Sequence, residues 1–168
     1  MSSAITAGSG KNMDMETKPS SCNVTALRKA TRNVSQFYDT VLAGSGIRAT
    51  QRAILASIAR RGSPTIGELA GELVLDRTAL NHNLKPLLRD GLIAITADAT
   101  DRRSKRVKLS RRGEAKLMES EGAWKRAQER FEAAFGNKEA AALRKTLALI
   151  ASLDLSDPKP MALRAKNA

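Results

Sequence analysis

Residues 64–112, PTIGELAGELVLDRTALNHNLKPLLRDGLIAITADATDRRSKRVKLSRR, decide how this 168-residue chain folds. Thr65 to Glu68 spell T-I-G-E, a capping box in which the Thr hydroxyl and the Glu carboxylate each take one helix-end amide. Ile66, Leu69, Ala70 and Leu73 follow at i, i+3, i+4 and i+7, one apolar face of a short helix. Val74-Leu75 breaks that period, and Asp76 is suited to cap a second helix. There Leu80, Leu84, Leu87 and Leu88 share a face, and Pro86 predicts a bend or an early loosening because it removes the amide for the His82 carbonyl. Gly91 is suited to the left-handed position that closes the helix. Leu92 to Thr96 reads as a strand. Arg106 to Leu109 reads as a second, with Val107 and Leu109 inward and Arg106 and Lys108 outward. The pattern predicts a mainly α fold with a small β-hairpin: a helix-turn-helix followed by a wing.

Thr78, Asn81, His82 and Lys85 lie opposite the leucines on the second helix. Short hydrogen-bonding groups and cations, with no carboxylate among them, suit the edges and flanking phosphates of a DNA major groove. An ordinary solvated helix face accounts for the same four residues equally well. The hairpin is more one-sided. From Asp101 to Arg112 the chain carries seven Lys or Arg (Arg102, Arg103, Lys105, Arg106, Lys108, Arg111 and Arg112) against one acid. Solubility does not require charge so biased, whereas an arginine-bearing tip can enter a minor groove, where negative potential concentrates, so Arg102, Arg103, Lys105 and Arg106 are expected to hold the wing on the DNA backbone and minor groove.

These residues resemble the MarR family of bacterial transcriptional regulators. The wing D-R-R-S-K-R-V-K-L-S at Asp101 to Ser110 matches the family's Asp, its Arg two residues on and its Leu-Ser before the next helix. The helix from Asp76 to Gly91 looks like the family's recognition helix. The resemblance implies that Arg103 enters the minor groove and that Asp101 holds the wing arginines by ion pairing. It also implies a homodimer and a small-molecule effector. Where many members carry Thr-Arg or Ser-Arg, this chain has Asn81-His82. Arginine grips guanine by two parallel bonds and neutral histidine does not, so the family's base preference does not carry over to this position.

Composition narrows the function. The formal charge is +12 and aromatics are 3 % of the residues, so Ala- and Leu-rich helices must pack on one another, across two chains as well as within one. Double-stranded DNA is the expected partner. No apolar run approaches the ~20 residues that span a bilayer. Residues 1–21 are polar and small and read as a flexible arm, residues 22–46 as a dimerisation helix, and 47–112 as the DNA-binding domain. Residues 113–155 read as a long linking helix, capped by Ser110 and running to about Phe135, followed by a C-terminal dimerisation helix. Residues 156–168 read as a loose tail. The first helix carries a stripe of Leu27, Ala30, Val34, Tyr38, Val41 and Leu42, closed by Gly44-Ser45-Gly46. The next runs from Ile47 to about Arg61, with Thr50 as its cap and Ala53, Ile54, Ile58 and Ala59 toward the core. After a break at Gly136-Asn137-Lys138, Leu143, Leu147, Ile150 and Leu153 form a stripe that needs a partner, which a second copy supplies.

Four residues are candidates for an effector pocket: Tyr38, Gln51, Arg52 and Trp124. Gln51 and Arg52 lie close to where the family places its cavity, and Trp124 serves either as a pocket wall or as a packing anchor. The expected effector is an anionic aromatic or an acyl thioester. Cys22, the one cysteine, fits a reducing cytoplasm, where the protein would associate with the nucleoid. It reads either as a small apolar residue or as an oxidant-sensing thiol favoured by helix-end amides. A Cys-His enzyme would have to join Cys22 to His82, a Cys/His zinc site is excluded by count, and no phosphate-cradling glycine loop is present, so neither enzyme, metal nor cofactor is expected. Two DNA-binding functions remain: a sequence-specific regulator, a repressor released by its effector on a palindromic operator, and a sequence-indifferent architectural protein.

Overall fold

The computed structural model describes residues 21–101 and 103–155. The expected N-terminal arm, apart from Ser21, and the tail from residue 156 lie outside the described residues, as does Arg102. Among the described residues, seven α-helices and one hairpin follow in order: α1 (Asn23–Leu42), α2 (Ala49–Arg61), α3 (Ile66–Glu72), α4 (Arg77–Arg89), β1 (Ile93–Ala97), β2 (Lys105–Leu109), α5 (Arg111–Glu119), α6 (Glu121–Phe135) and α7 (Asn137–Ser152), with a 3-10 turn at Ala43–Ser45. The fold is mainly helical with a two-stranded wing. Of the described residues, those up to Val34 form one unit and those from Ser35 another.

Within the larger unit, the core gathers Ile47, Ile54, Leu55, Ile58, Leu69, Ala70, Leu80, Leu84, Leu87, Leu92, Ile93 and Val107. Ile66, Leu73, Leu75, Ile95, Leu109 and Leu117 pack against its edge. Each fully buried aliphatic side chain contributes roughly 1.5–3 kcal/mol relative to exposure. The helix-turn-helix follows the sequence pattern. Thr65 Oγ1 accepts the Glu68 amide at 3.1 Å while Glu68 accepts the Thr65 amide at 2.7 Å, and Asp76 Oδ1 accepts the Ala79 amide at 2.8 Å. The hairpin pairs antiparallel with Ile95 opposite Val107 and Thr96 opposite Arg106. β2 also bonds on its other edge, where the Val107 amide donates to the Pro64 carbonyl at 2.9 Å. The strands begin and end within a residue or so of the expected places. Val107 is buried, but Arg106 does not face freely outward: it is half-buried and engaged in bonds described below.

Several expectations are corrected by tertiary packing. Leu88 is 47 % exposed, because the three leucines at 80, 84 and 87 already fill the buried face. The helix continues through Pro86 to Arg89: near its end, one missing amide interrupts little. In α2, Ala53 and Ala59 are exposed while Arg52, Leu55 and Ser57 are buried, so the buried face is turned by about one residue. Arg48, not Thr50, caps this helix. Its amide donates to Gln51 Oε1, and the next amide, of Ala49, donates to Asp39 Oδ1 at 2.7 Å, a carboxylate reaching over from α1. The long linking helix is divided at Ser120. The Ser120 hydroxyl bonds back to the Leu117 carbonyl at 2.8 Å and accepts Arg52 Nε at 3.2 Å, a pattern that competes with regular helical bonding. The break before α7 is Gly136 alone, at φ +99°, and Asn137 and Lys138 are already helical.

α3 and α4 end in the same way. The Leu75 amide reaches the Ala70 carbonyl and the Val74 amide that of Gly71; the Leu92 amide reaches Leu87 and the Gly91 amide Leu88. Both are Schellman closures with a left-handed residue at the first position past the cap. At α4 that residue is Gly91 (φ +67°). At α3 it is Val74 (φ +51°), a β-branched residue in a region L side chains avoid. Gly113 answers a different need. A Cβ there would fall 1.9 Å from the Leu92 carbonyl oxygen, so only glycine lets α5 approach the foot of β1. Glu72 ties α3 to α2: it accepts from Ser57 Oγ, from Arg61 and, at 2.7 Å, from Arg60. Those bonds, the Ser57 hydroxyl first, hold its carboxyl at about 2.

The Val74→Gly variant is expected to raise stability by roughly 0.5–1 kcal/mol, the relief of left-handed strain less the added unfolded-chain entropy. Val74 is 66 % exposed, so little packing is lost, and an unchanged or lower midpoint in urea refutes the strain. For Glu72, a folded pKa below the ordinary 4.5 means that its contribution is complete above 4.5 and disappears as pH falls toward 2. Thermal midpoints of wild type and Glu72→Gln are therefore expected to converge over that window; a gap that persists at its acid end contradicts the linkage.

Candidate nucleic-acid interface

α4 presents Thr78, Asn81, His82 and Lys85 to solvent, all four exposed, on the side opposite its buried leucines. The wing stands beside them. Arg103 and Lys105 are exposed, and together with Ile66, Gly67, Arg77, Asn81, Asp101 and Ser104 they line a cleft of about 320 Å³ between the helix-turn-helix and the hairpin. Asn81, Arg103 and Lys105 from the expected contact set thus meet around one cleft; Thr78, His82 and Lys85 continue along the same helix. Arg77, the first residue of α4, adds a cation that periodicity did not single out.

The wing turn is built by an acid that the sequence reading passed over. Asp98 Oδ1 accepts the Thr100 hydroxyl at 2.6 Å, the Thr100 amide at 2.7 Å and the Asp101 amide at 3.2 Å. Its other oxygen accepts Arg106 Nε. These donors, the Thr100 hydroxyl foremost, pull the Asp98 carboxyl well below the usual range, so it is ionised. The Asp98 side chain is 4 % exposed. Arg106 extends its second arm to the Ser63 carbonyl at 2.7 Å. Asp101 acts on the backbone: its Oδ1 accepts the Arg103 amide at 2.9 Å, so what it fixes is the start of that side chain rather than the guanidinium. An Asp followed two residues later by Thr is a recurrent turn pattern, the signal by which Asp98 could have been found.

The four pocket candidates make different contacts. Arg52 is buried; Nε donates to Ser120, a terminal nitrogen pairs with Glu121, and the guanidinium lies 4.5 Å from the centroid of Trp124. Burial lowers its pKa and the Glu121 charge opposes that shift. Trp124 is therefore a packing anchor for Arg52. Tyr38 donates to Gln128 on α6, its ring edge-on to Phe37 at 5.4 Å, and burial foremost raises its pKa. Gln51, engaged with the Arg48 amide, lines a separate cleft with Asp39, Ala43, Gly46, Ile47 and Arg48. Cys22 is exposed at the foot of α1, and bonding to Thr25, the side chain first, lowers its pKa. With no second cysteine in the chain, any disulfide would join it to another molecule. Among the described residues no cluster of three His, Cys, Asp or Glu is placed to hold a metal, and no helix is long and apolar enough to cross a membrane.

The sequence model of the MarR family matches residues 47–105, from just before α2 into the wing. Among solved structures, the chain is 34 % identical to the M. tuberculosis transcriptional regulator MosR in complex with DNA; the match covers 77 % of this chain and 93 % of that one, with a TM-score of 0.71. The transcriptional repressor CouR bound to a 23-mer DNA duplex is 25 % identical over 77 % of this chain and 92 % of its own, with a TM-score of 0.70. A mutant of E. coli MarR complexed with operator DNA shares the fold at 22 % identity, covering 76 % and 91 %, with a TM-score of 0.68. No curated protein matches the sequence.

Replacing Arg52 with Ala removes the cation over the chain's only tryptophan. The emission of Trp124 is expected to shift to the red, and stability to fall by roughly 1–2 kcal/mol, because Glu121 is 43 % exposed and water takes up its charge. An unshifted spectrum contradicts the anchor.

Proposed function

As the chain belongs to the MarR family of transcriptional regulators, we propose that it acts as a homodimer that reads a palindromic operator in duplex DNA and represses from it. The observation that carries this reading is the shared cleft: a recognition-helix face free of carboxylates and an arginine-bearing wing open onto the same side. Asn81 and His82, with Thr78, read base edges in the major groove, and Lys85 meets the phosphates beside them. Arg103 enters the neighbouring minor groove, with Lys105 on its backbone; Arg102 belongs by sequence to the same tip. The strand that separates the two grooves must cross the gap between helix and wing, so its phosphates pass over the cleft that Arg77 lines. MosR, CouR and E. coli MarR were each solved on DNA.

Dimerisation is supported by exposed apolar surface: Leu147, Leu149 and Ile150 on the last helix and Leu153 just past its end. Two copies would place recognition helices on half-sites about one turn apart, ~34–36 Å. A small-molecule effector, an anionic aromatic or an acyl thioester, would release the DNA by binding one spacing of the two helices better than the other. The clefts at Asp39–Gln51 and at Val41–Arg126 are where such a ligand would be sought. The setting is the cytoplasm, on the nucleoid.

Arg103→Ala is expected to weaken operator binding and to flatten the dependence of log affinity on log salt by about one unit per protomer, the loss of one phosphate-neutralising cation. Equal affinity with an equal slope contradicts the wing contact. Equal affinity of the wild type for operator and random duplex favours an architectural protein instead.

A further inference from the structure

We propose that Asp98 and Arg106 are positioning residues for DNA binding: a buried carboxylate and a guanidinium that aim the wing, with Arg106 itself making no phosphate contact. The proposal rests on the regulator reading above and concerns how its wing is held. Seven residues, 98–104, join β1 to β2, and a loop of that length has no fixed direction of its own. Asp98 supplies one. Three donors from Thr100 and Asp101 converge on one of its oxygens, and the Asp98 amide donates to the Ser104 carbonyl at 3.0 Å, so both sides of the loop close on this residue.

Arg106 then carries that order beyond the hairpin. One nitrogen is bonded to Asp98 and another to the Ser63 carbonyl, in the turn between α2 and α3. The planar fork is what allows two partners in different directions to be held at once. The loop that bears Arg103 is thereby fixed to the body from which α3 and α4 project. Both groups are partly or wholly withdrawn from solvent, with side chains 4 % and 40 % exposed. Counted as charge alone, Arg106 belongs with the DNA-binding cations; counted by its bonds, it is already engaged.

The two views predict opposite results. Asp98→Asn removes a negative charge from the DNA-facing lobe, so charge alone predicts tighter binding. Positioning predicts weaker binding, by about tenfold or more, the scale of one lost charge-assisted contact. Arg106→Lys keeps the charge and loses the fork; charge alone predicts no change, positioning a similar loss. Affinities would be measured on a duplex selected by the wild-type protein from a randomised pool. Each change is then repeated on Arg103→Ala, whose minor-groove contact, the one that the wing's aim serves, is already gone. There Asp98→Asn and Arg106→Lys are expected to cost no more than about twofold. Binding by Asp98→Asn that equals or exceeds wild type overturns the proposal, as does unchanged binding by Arg106→Lys. Losses that multiply in the Arg103→Ala background also overturn it, since they report general damage to the fold. A wild-type chain that selects no duplex fails the regulator reading itself, and the proposal with it; a wild type that selects one while Asp98→Asn matches it fails the proposal alone.

Discussion

β2 is hydrogen-bonded along both edges, and the arrangement of the DNA-facing parts depends on it. One edge pairs with β1 from Ala97–Lys105 down to Ile93–Leu109; the other receives the turn before α3 through Val107 and Pro64. A two-stranded hairpin alone is marginal in water. Here its central residue, Val107, is fully buried in the core that α2, α3 and α4 share, so the wing and the helix-turn-helix are fastened by the same strand. Arg106, next in that strand, adds the side-chain link to Ser63.

Much of this was legible because it is local. The capping box of α3, the Asp76 cap of α4, the apolar periods of both helices, Gly91 and the alternation of β2 all lie within a few residues of what they determine. What escaped reading depends on partners distant in sequence. Alternation alone turns Arg106 outward; only Asp98 and Ser63, eight and 43 residues away, draw it in. Ser120 looks like any helical serine until Arg52, 68 residues earlier, donates to it. Asp39 capping α2 is a contact no spacing rule contains. The two Schellman closures make the same point: glycine announces one, while Val74 hides the other, because the bonds of the turn override the preference of the residue. The site divides likewise. The exposed face of α4 and the basic wing were visible as composition; which cations are free and which are engaged was not.

The acids explain how a chain with 17 Asp and Glu against 29 Lys and Arg can show so clean a cationic face. Among the described residues, carboxylates are drawn into the framework. Glu68 and Asp76 close helix starts, Asp39 reaches α2, Glu72 gathers Ser57 and two arginines, Glu121 holds Arg52, and Asp98 folds the wing turn. Glu72 and Glu121 are engaged with arginines that do not line the cleft, and Asp98 takes up Arg106, which does not line it either. Asp101, the acid that does line it, is occupied by the Arg103 amide. The field that a polyanion meets is therefore set as much by where the negative groups are sequestered as by the positive surplus.

Gly113 has the last mechanical word. Without a β-carbon between them, the first turn of α5 and the Leu92 carbonyl touch backbone to backbone, and the Ser110 amide and hydroxyl clasp the same corner from the Leu92 and Gly91 carbonyls. Side chains can repack to absorb a small shift; two peptide planes in contact have no such slack. The base of the hairpin and the first turn of α5 therefore behave as a single lever, and a push on that helix arrives at the foot of the wing undamped.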